Sequence, residues 1–245
     1  MRVQESAAAV AEVVVTPRRA WLSVAGVLAV LLVMKLGSSV FGLASAVVGV
    51  VATIGVLWVT RAGRTSWHDL GISRHALKVG AAWSAGFFGL FATGFVLTAV
   101  AATAVPAVGE WVQSLEVDSP QPSREMYQAL VAIPLGTVLI EEVAFRSALP
   151  ALLGRAGASV RTAVVGSAIL FGLWHVAPSL AAVNRGPDPS LPVWIIVVGT
   201  VVFTTTAGIG LGWLRHRSGS LLPSMVVHMT TNSLGVALVW FLALS

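Results

Sequence analysis

The sequence predicts an all-α, polytopic membrane protein built as a bundle of about seven membrane-spanning helices. Three observations predict it. Of 245 residues, 56% are hydrophobic and only 10% are charged, whereas a soluble domain carries about 25% charged residues. Mean hydropathy is +0.88, so the apolar side chains are too numerous to hide in one water-soluble core. Finally, they fall into seven runs, roughly 20–36, 38–60, 77–105, 126–150, 163–181, 192–214 and 220–243. Each is close to the ~20 residues that cross a bilayer.

Taken in order, residues 1–17 read as a short polar-to-mixed cytoplasmic arm, with no cleavable signal peptide, and 18–245 as a single transmembrane domain without internal repeats. The first run ends at Lys35, whose long side chain can snorkel to the interface. Residues 61–76 are expected to form a short interfacial helix with Trp67 at headgroup level. The third run is long enough to tilt. The fourth contains Pro134 and Pro150, which should shape its helix, because backbone bonds lost in a membrane must be replaced nearby. Residues 182–191, with Asn184, Gly186, Pro187, Asp188 and Pro189, carry a loop signature. The sixth run offers only Thr200 and Thr204 to Thr206 as polar groups, and these can bond to their own helix.

Charge orients the bundle. With the N-terminus in the cytoplasm, Arg2, Arg18, Arg19, Arg61, Arg64, Arg74, Lys78, Arg155, Arg161, Arg215 and Arg217 all fall on the cytoplasmic side. Lys35, Arg124 and Arg185 fall outside, beside an acidic connection with Glu110, Glu116, Asp118 and Glu125. The positive-inside rule therefore places the C-terminus outside. It also accounts for the net charge of +5 without nucleic acid as a partner; the partner is the lipid bilayer. Arg in excess of Lys, with abundant Ala, Val and Gly, suggests a GC-rich bacterial genome and hence a bacterial cell membrane. The absence of cysteine excludes disulfides, thiolate nucleophiles and Cys-based zinc sites.

The fourth run breaks its own pattern at Glu141-Glu142-Val143-Ala144-Phe145-Arg146. An acid or base at the centre of a spanning helix costs about 2.5–3.5 kcal/mol. A helix that only had to span would not carry three, so this is a functional cluster with partners elsewhere. Glu142 and Arg146 are four apart and form a favourably ordered pair on one face. Glu141 lies about 140° round the helix from Arg146 and is free to face another element. The other strongly polar groups deep in runs are His175, one turn after Phe171, and His228, one turn before Asn232. Helix rise puts Glu141, His175 and His228 about 13–15, 15–18 and 12 Å above the cytoplasmic ends of their runs, so they can form one layer in the cytoplasmic half of the bilayer. A free carboxylate, a histidine and a His/Asn donor pair are the parts of a water-activating hydrolase. Glu141 would take a proton from water with help from His175, and His228 and Asn232 would stabilise the oxyanion. The substrate would be a membrane-associated protein or peptide. Phe171 reads as packing beside the imidazole, and Trp174 as a possible wall of the cavity that carries no assigned role.

Glu-Glu-x-x-x-Arg, Phe-x-x-x-His and His-x-x-x-Asn, in that order on three helices, resemble the CPBP family of type II CAAX prenyl endopeptidases and bacteriocin-processing or Abi proteins. The resemblance covers about 126–243. Trp67-His68-Asp69-Leu70-Gly71 is similar to a short Leu-Gly segment upstream in that family. It implies an intramembrane endopeptidase in which Glu141 and His175 activate water and His228 and Asn232 form the oxyanion site, with no required cofactor. Three other readings compete. One is a zinc-dependent metalloprotease with Glu141, His175 and His228 as ligands, although the His-Glu-x-x-His signature is absent. Another is a non-catalytic bacteriocin-immunity or membrane factor on the same scaffold. The last is a proton-coupled transporter, which would need paired repeats and broken helices that the sequence does not display.

Overall fold

The computed structural model describes residues 17–41, 45–113, 122–185 and 191–243, and every regular element among them is helical. The first sixteen residues, Glu116 and Asp118, and residues 186–190 of the 182–191 connection lie outside the described residues, while 182–185, expected as loop, are the last turn of a helix. The elements are α1 (Pro17–Phe41), α2 (Ser45–Ala62), α3 (Arg74–Ala104), α4 (Pro106–Gln113), α5 (Pro122–Tyr127), α6 (Gln128–Arg155), α7 (Val160–Trp174), α8 (Val176–Arg185), α9 (Val193–Ser218) and α10 (Leu222–Ala243). Among the described residues six stretches are long and apolar enough to cross a membrane: α1, α2, α3, α6, α7 continued by α8, and α9. At 22 residues, α10 is a seventh long helix, about 33 Å in length. The protein is a multi-pass helical membrane bundle.

Local chemistry sets the helix ends. Ser73 caps α3 by accepting the Ala76 N–H at 3.2 Å, and Ser159 caps α7 by accepting the Thr162 N–H at 3.1 Å. Arg215, His216 and Arg217 fill the last turn of α9, where they complement the carbonyl end of the helix, and Gly219 terminates it in the left-handed region.

α6 runs through the middle of the bundle, packed against α2, α7 and α10, with α1 against its last turns. Val27, Leu31, Val56, Ile140, Phe145, Leu149, Leu152 and Phe171 form the core around it. The crossing of α2 and α6 is close enough to demand glycine. A Cβ on Gly49 would lie 2.4 Å from the Leu135 carbonyl oxygen and 2.6 Å from the Gly136 Cα. α3 is different in kind. Leu90, Val96, Leu97 and Val100 stay exposed along it, the surface a lipid-facing helix presents.

Two local expectations change. Residues 63–73 form a series of turns in place of an interfacial helix. Ser66 and Asp69 bond reciprocally, the Ser66 N–H to Asp69 Oδ2 at 2.9 Å and the Asp69 N–H to Ser66 Oγ at 3.0 Å. Gly71 then takes φ +69°, which ends any helix. The next three carbonyls are claimed by three other segments: Asp69 O by Arg215 Nη2 at 2.8 Å, Leu70 O by Ser147 Oγ at 2.7 Å and Gly71 O by the Leu221 N–H at 3.0 Å. A continuing helix would have used those carbonyls itself. The fifth apolar run, read as continuous, is broken at His175, which separates α7 from α8.

Candidate active site

The winding of α6 is unusual. It is π-helical over Gln128–Val138 and Val143–Ala148, on either side of an α-helical turn, Leu139–Glu142. The Leu139 N–H reaches back five residues to the Pro134 carbonyl, and the Leu149 N–H to that of Ala144. Wide turns of this kind are rare and occur frequently at functional sites. The prolines contribute. Pro150 has no N–H to offer the Phe145 carbonyl, five residues back, and Ser167 Oγ of α7 donates to that carbonyl at 2.6 Å. The two wide segments bracket Glu141 and Glu142.

Both acids are buried, as is Arg146. Arg146 Nε lies 3.3 Å from Glu142 Oε1, a charge contact without an aligned hydrogen bond. The guanidinium also lies 3.8 Å above the Phe171 ring, a stacking arrangement that stabilises a desolvated cation. The same Glu142 oxygen receives His228 Nδ1 at 2.9 Å from α10. Glu142 therefore ties Arg146 and His228 together.

Glu141 faces away from that pair and is held differently. Trp174 Nε1 donates to Glu141 Oε1 at 2.9 Å. The other oxygen, Oε2, has no hydrogen-bond partner and lies 3.8 Å from His228 Nε2. That gap is too long for a hydrogen bond. His228 thus spans the two acids, with Nδ1 on Glu142 and Nε2 toward Glu141.

His175 sits where α7 breaks. Its Nδ1–H donates to the Phe171 carbonyl at 2.8 Å, which leaves Nε2 as the acceptor in the neutral ring. Phe171 stands between the two imidazoles, with ring centroids 4.5 Å from His175 and 5.9 Å from His228. Phe171 is thus an aromatic spacer that also carries the Arg146 guanidinium. Asn232, one turn beyond His228, is exposed and makes no hydrogen bond to the described residues.

Sequence reasoning set Trp174 aside as a wall, yet it holds Glu141 directly. Its signal was present: an indole N–H next to His175, at membrane depth, where a buried donor must find an acceptor. Lys35, at the end of its span, is half-buried, with its ammonium 4.9 Å from the centroid of the Trp174 ring. The depth estimates change too. α6 continues to Arg155 and α7 begins at Val160, so Glu141 and His175 stand about 21 and 22 Å from those helix ends. α10 starts deeper, under the 63–73 turns, with His228 about 9 Å along it.

Among the described residues no three His, Asp or Glu side chains are arranged to hold a metal ion. Glu141, His175 and His228 therefore do not form a ready ligand set. A separate cavity of about 170 Å³ lies where α6, α7 and α9 end, lined by Asp69, Arg146, Ser147, Arg215 and His216 among others. Neither Glu141 nor His228 lines it.

A helical membrane bundle with a buried carboxylate facing a histidine, and a second carboxylate behind that histidine, defines a class: a polar catalytic-type cluster enclosed within the membrane. Residues 123–234 match the Rce1-like family, described as type II CAAX prenyl endopeptidase Rce1-like. This is an intramembrane CAAX-type protease family, and the matched stretch contains every member of the cluster from Glu141 to Asn232. No curated protein and no solved structure matches the chain.

Proposed function

We propose that the protein is an intramembrane endopeptidase in which Glu141 activates water against a peptide bond of a membrane-associated substrate. The observation that carries this reading is the open Oε2 of Glu141, 3.8 Å from His228 Nε2. Trp174 occupies the other oxygen, so the carboxylate is held with Oε2 on the side of His228. A water held there would give its proton to Glu141 while attacking the carbonyl carbon. His175, with Nε2 as acceptor, would assist that proton transfer.

His228 would serve the other half of the reaction. With Glu142 behind Nδ1, its Nε2–H is oriented as a donor to the tetrahedral oxyanion. Asn232 would turn in from its exposed position when substrate is bound and supply a second donor. Arg146 balances the charge of Glu142 and remains structural. No metal-dependent step is needed. With the orientation assigned from charge, N-terminus in and C-terminus out, Glu141 and His175 lie about 21 and 22 Å from the cytoplasmic ends of α6 and α7, so cleavage would fall past the middle of a ~30 Å membrane core rather than near its cytoplasmic side.

The test is a comparison of protein termini in membrane fractions from cells carrying the wild type and Glu141→Ala. New C-termini present only with the wild type would identify substrates and establish the activity. Identical termini in both would remove the protease reading. Retention of cleavage after exhaustive chelation would separate this mechanism from the zinc-dependent one, which requires its loss.

A further inference from the structure

The cavity at the ends of α6, α7 and α9 takes no part in the steps assigned to Glu141 and His228, and its walls carry a chemistry of their own. Arg146 lies about 14 Å of helix before the end of α6 and forms the inner wall. Arg215 and His216, in the last turn of α9, line the outer part. Arg146 is 2% exposed, and its Nε, Nη1 and Nη2 all lack a hydrogen-bond partner among the described residues. Glu142 gives it an opposite charge at 3.3 Å and Phe171 a ring face, but neither gives it an aligned acceptor. Arg215 donates from Nη2 to the Asp69 carbonyl at 2.8 Å and keeps a buried Nε without a partner. Buried guanidinium donors without acceptors are costly, and two such side chains border one cavity of about 170 Å³.

The surrounding charge favours an anion. Arg146 is offset by Glu142, and the Asp69 carboxylate in the wall is already bonded by Arg155 Nη2 at 3.0 Å and the Ser66 N–H at 2.9 Å. With Arg215, these groups are three guanidiniums and two carboxylates, so one positive charge is left over. Val160, the first residue of the 15-residue α7, also lines the cavity and brings the positive end of that helix to it. The carbonyl ends of α6 and α9 oppose this field, but each carries its own arginines, Arg155 on α6 and Arg215 and Arg217 on α9. The donors therefore approach from three helices. A carboxylate offers two oxygens in one plane, whereas a phosphate offers a tetrahedral set, and arginine forks bind phosphate through paired N–H groups. The ends of spanning helices are also where a bilayer places its phosphates.

We propose that this cavity binds a phosphate group, held by Arg146 from within and Arg215 from α9, with an anionic phospholipid headgroup or free phosphate as its source. No part of this uses Glu141, so it stands or falls apart from the protease reading.

The test follows the melting temperature of the full chain in a phosphate-free, non-ionic detergent at constant ionic strength. The probes are inorganic phosphate, acetate, chloride and dihexanoyl-phosphatidylglycerol. A ligand that binds only the folded protein raises the melting temperature as its concentration passes Kd. Phosphate should do so, and acetate and chloride should not at the same concentrations. Arg215→Gln should weaken the apparent Kd by about tenfold or more. Because Arg215 also holds the Asp69 carbonyl, a second variant, Gly154→Asp, leaves that bond intact. Gly154 lines the cavity, and a Cβ there meets nothing within 4 Å, so a carboxylate enters the wall without a clash. This variant should melt with the ligand-free wild type and lose the response to phosphate. Protection by phosphatidylglycerol at about one-tenth the phosphate concentration identifies a headgroup as the source, and protection by phosphate alone identifies the free ion. Absence of protection by both overturns the proposal, as does a response that survives unchanged in Gly154→Asp. Equal protection by chloride overturns it as simple charge screening, and equal protection by acetate overturns it in favour of a carboxylate ligand.

Discussion

Two polar regions of this molecule are built on opposite principles. The first is the turn at Asp69–Gly71, where three successive carbonyls are taken by Arg215, Ser147 and Leu221. Arg155 Nη2 closes the Asp69 carboxylate at 3.0 Å. The second is the cluster on α6, α7 and α10, where Glu141 Oε2, Glu142 Oε2 and the Arg146 guanidinium have no hydrogen-bond partner. In the turn, the three carbonyls and the Asp69 carboxylate are all bonded and tie the ends of α6 and α9 and the start of α10 to one loop, with Arg215 Nε left as a buried donor without a partner among the described residues. In the cluster Arg146 compensates Glu142, and buried polar atoms of both acids and of the guanidinium are left with open valences. Unsatisfied buried groups cost about 1–3 kcal/mol each, and a structure keeps them where they have work to do on another molecule. The contrast separates what holds the bundle from what the bundle holds.

The largest effect should come from the open valence itself. Glu141→Gln keeps the shape and the Trp174 contact but removes the base. Proteolysis should fall by about 10²–10⁴-fold, with the melting temperature in detergent unchanged or raised. A variant that loses stability in proportion to activity would put Glu141 in the first category, as structure.

Next in size is Arg146→Met. Removing one partner of a buried ion pair leaves the other charge uncompensated, at a cost of about 3–5 kcal/mol. Here Glu142 would lose its permanent cation and retain only His228 and Ser224, so thermal denaturation should show a large loss of stability and cleavage should fall with it. The double variant Glu142→Gln/Arg146→Met should recover much of the stability, because the charge and its partner leave together. It should not recover activity, since His228 loses the carboxylate behind Nδ1.

The turn should respond in the reverse way. Gly71 has φ +69°, and a Cβ there would lie 2.4 Å from Arg215 Cζ. Gly71→Ala combines backbone strain with a clash and should cost about 1–3 kcal/mol. The rate per folded molecule should match the wild type, as measured by active-fraction titration alongside thermal melts.

The same division governs what the sequence revealed. Helix number and placement were legible because burial in lipid imposes a long apolar run that no other structure needs. The Glu142–Arg146 pair was legible because four residues is a helical repeat, and the pairing persists although the wider turn begins at Val143. The π winding was not, because it depends on tertiary compensation such as Ser167 on the Phe145 carbonyl. Trp174 was missed for a related reason. An indole near a helix end has a ready packing explanation, and only the approach of α7 to α6 reveals its bond to Glu141. The Trp67–Gly71 segment was noticed as a pattern, but its role as a clasp depends on three partners 77 or more residues away in the chain.

The smallest effect concerns Asp69. Burial pushes its carboxyl up, but the Ser66 N–H, Arg155 and the Ser66 hydroxyl together hold it below the usual carboxylate range. A depressed pKa in the folded state contributes stability above the unfolded value, near 3.9, and loses it as pH falls through the folded value. The contribution is thus complete at neutral pH and disappears only in strong acid. Because Asp69 is 37% and Arg155 30% exposed, solvent screening confines the pair to less than about 1 kcal/mol. Asp69→Asn should therefore lower the melting temperature slightly at pH 7 in low salt, and less at high salt. It should also flatten the dependence of stability on pH below about 4, while cleavage per folded molecule stays at the wild-type rate. A large fall in that rate would mean that the clasp and the cluster are coupled through Ser147 and the last turns of α6, and the separation between them would not hold.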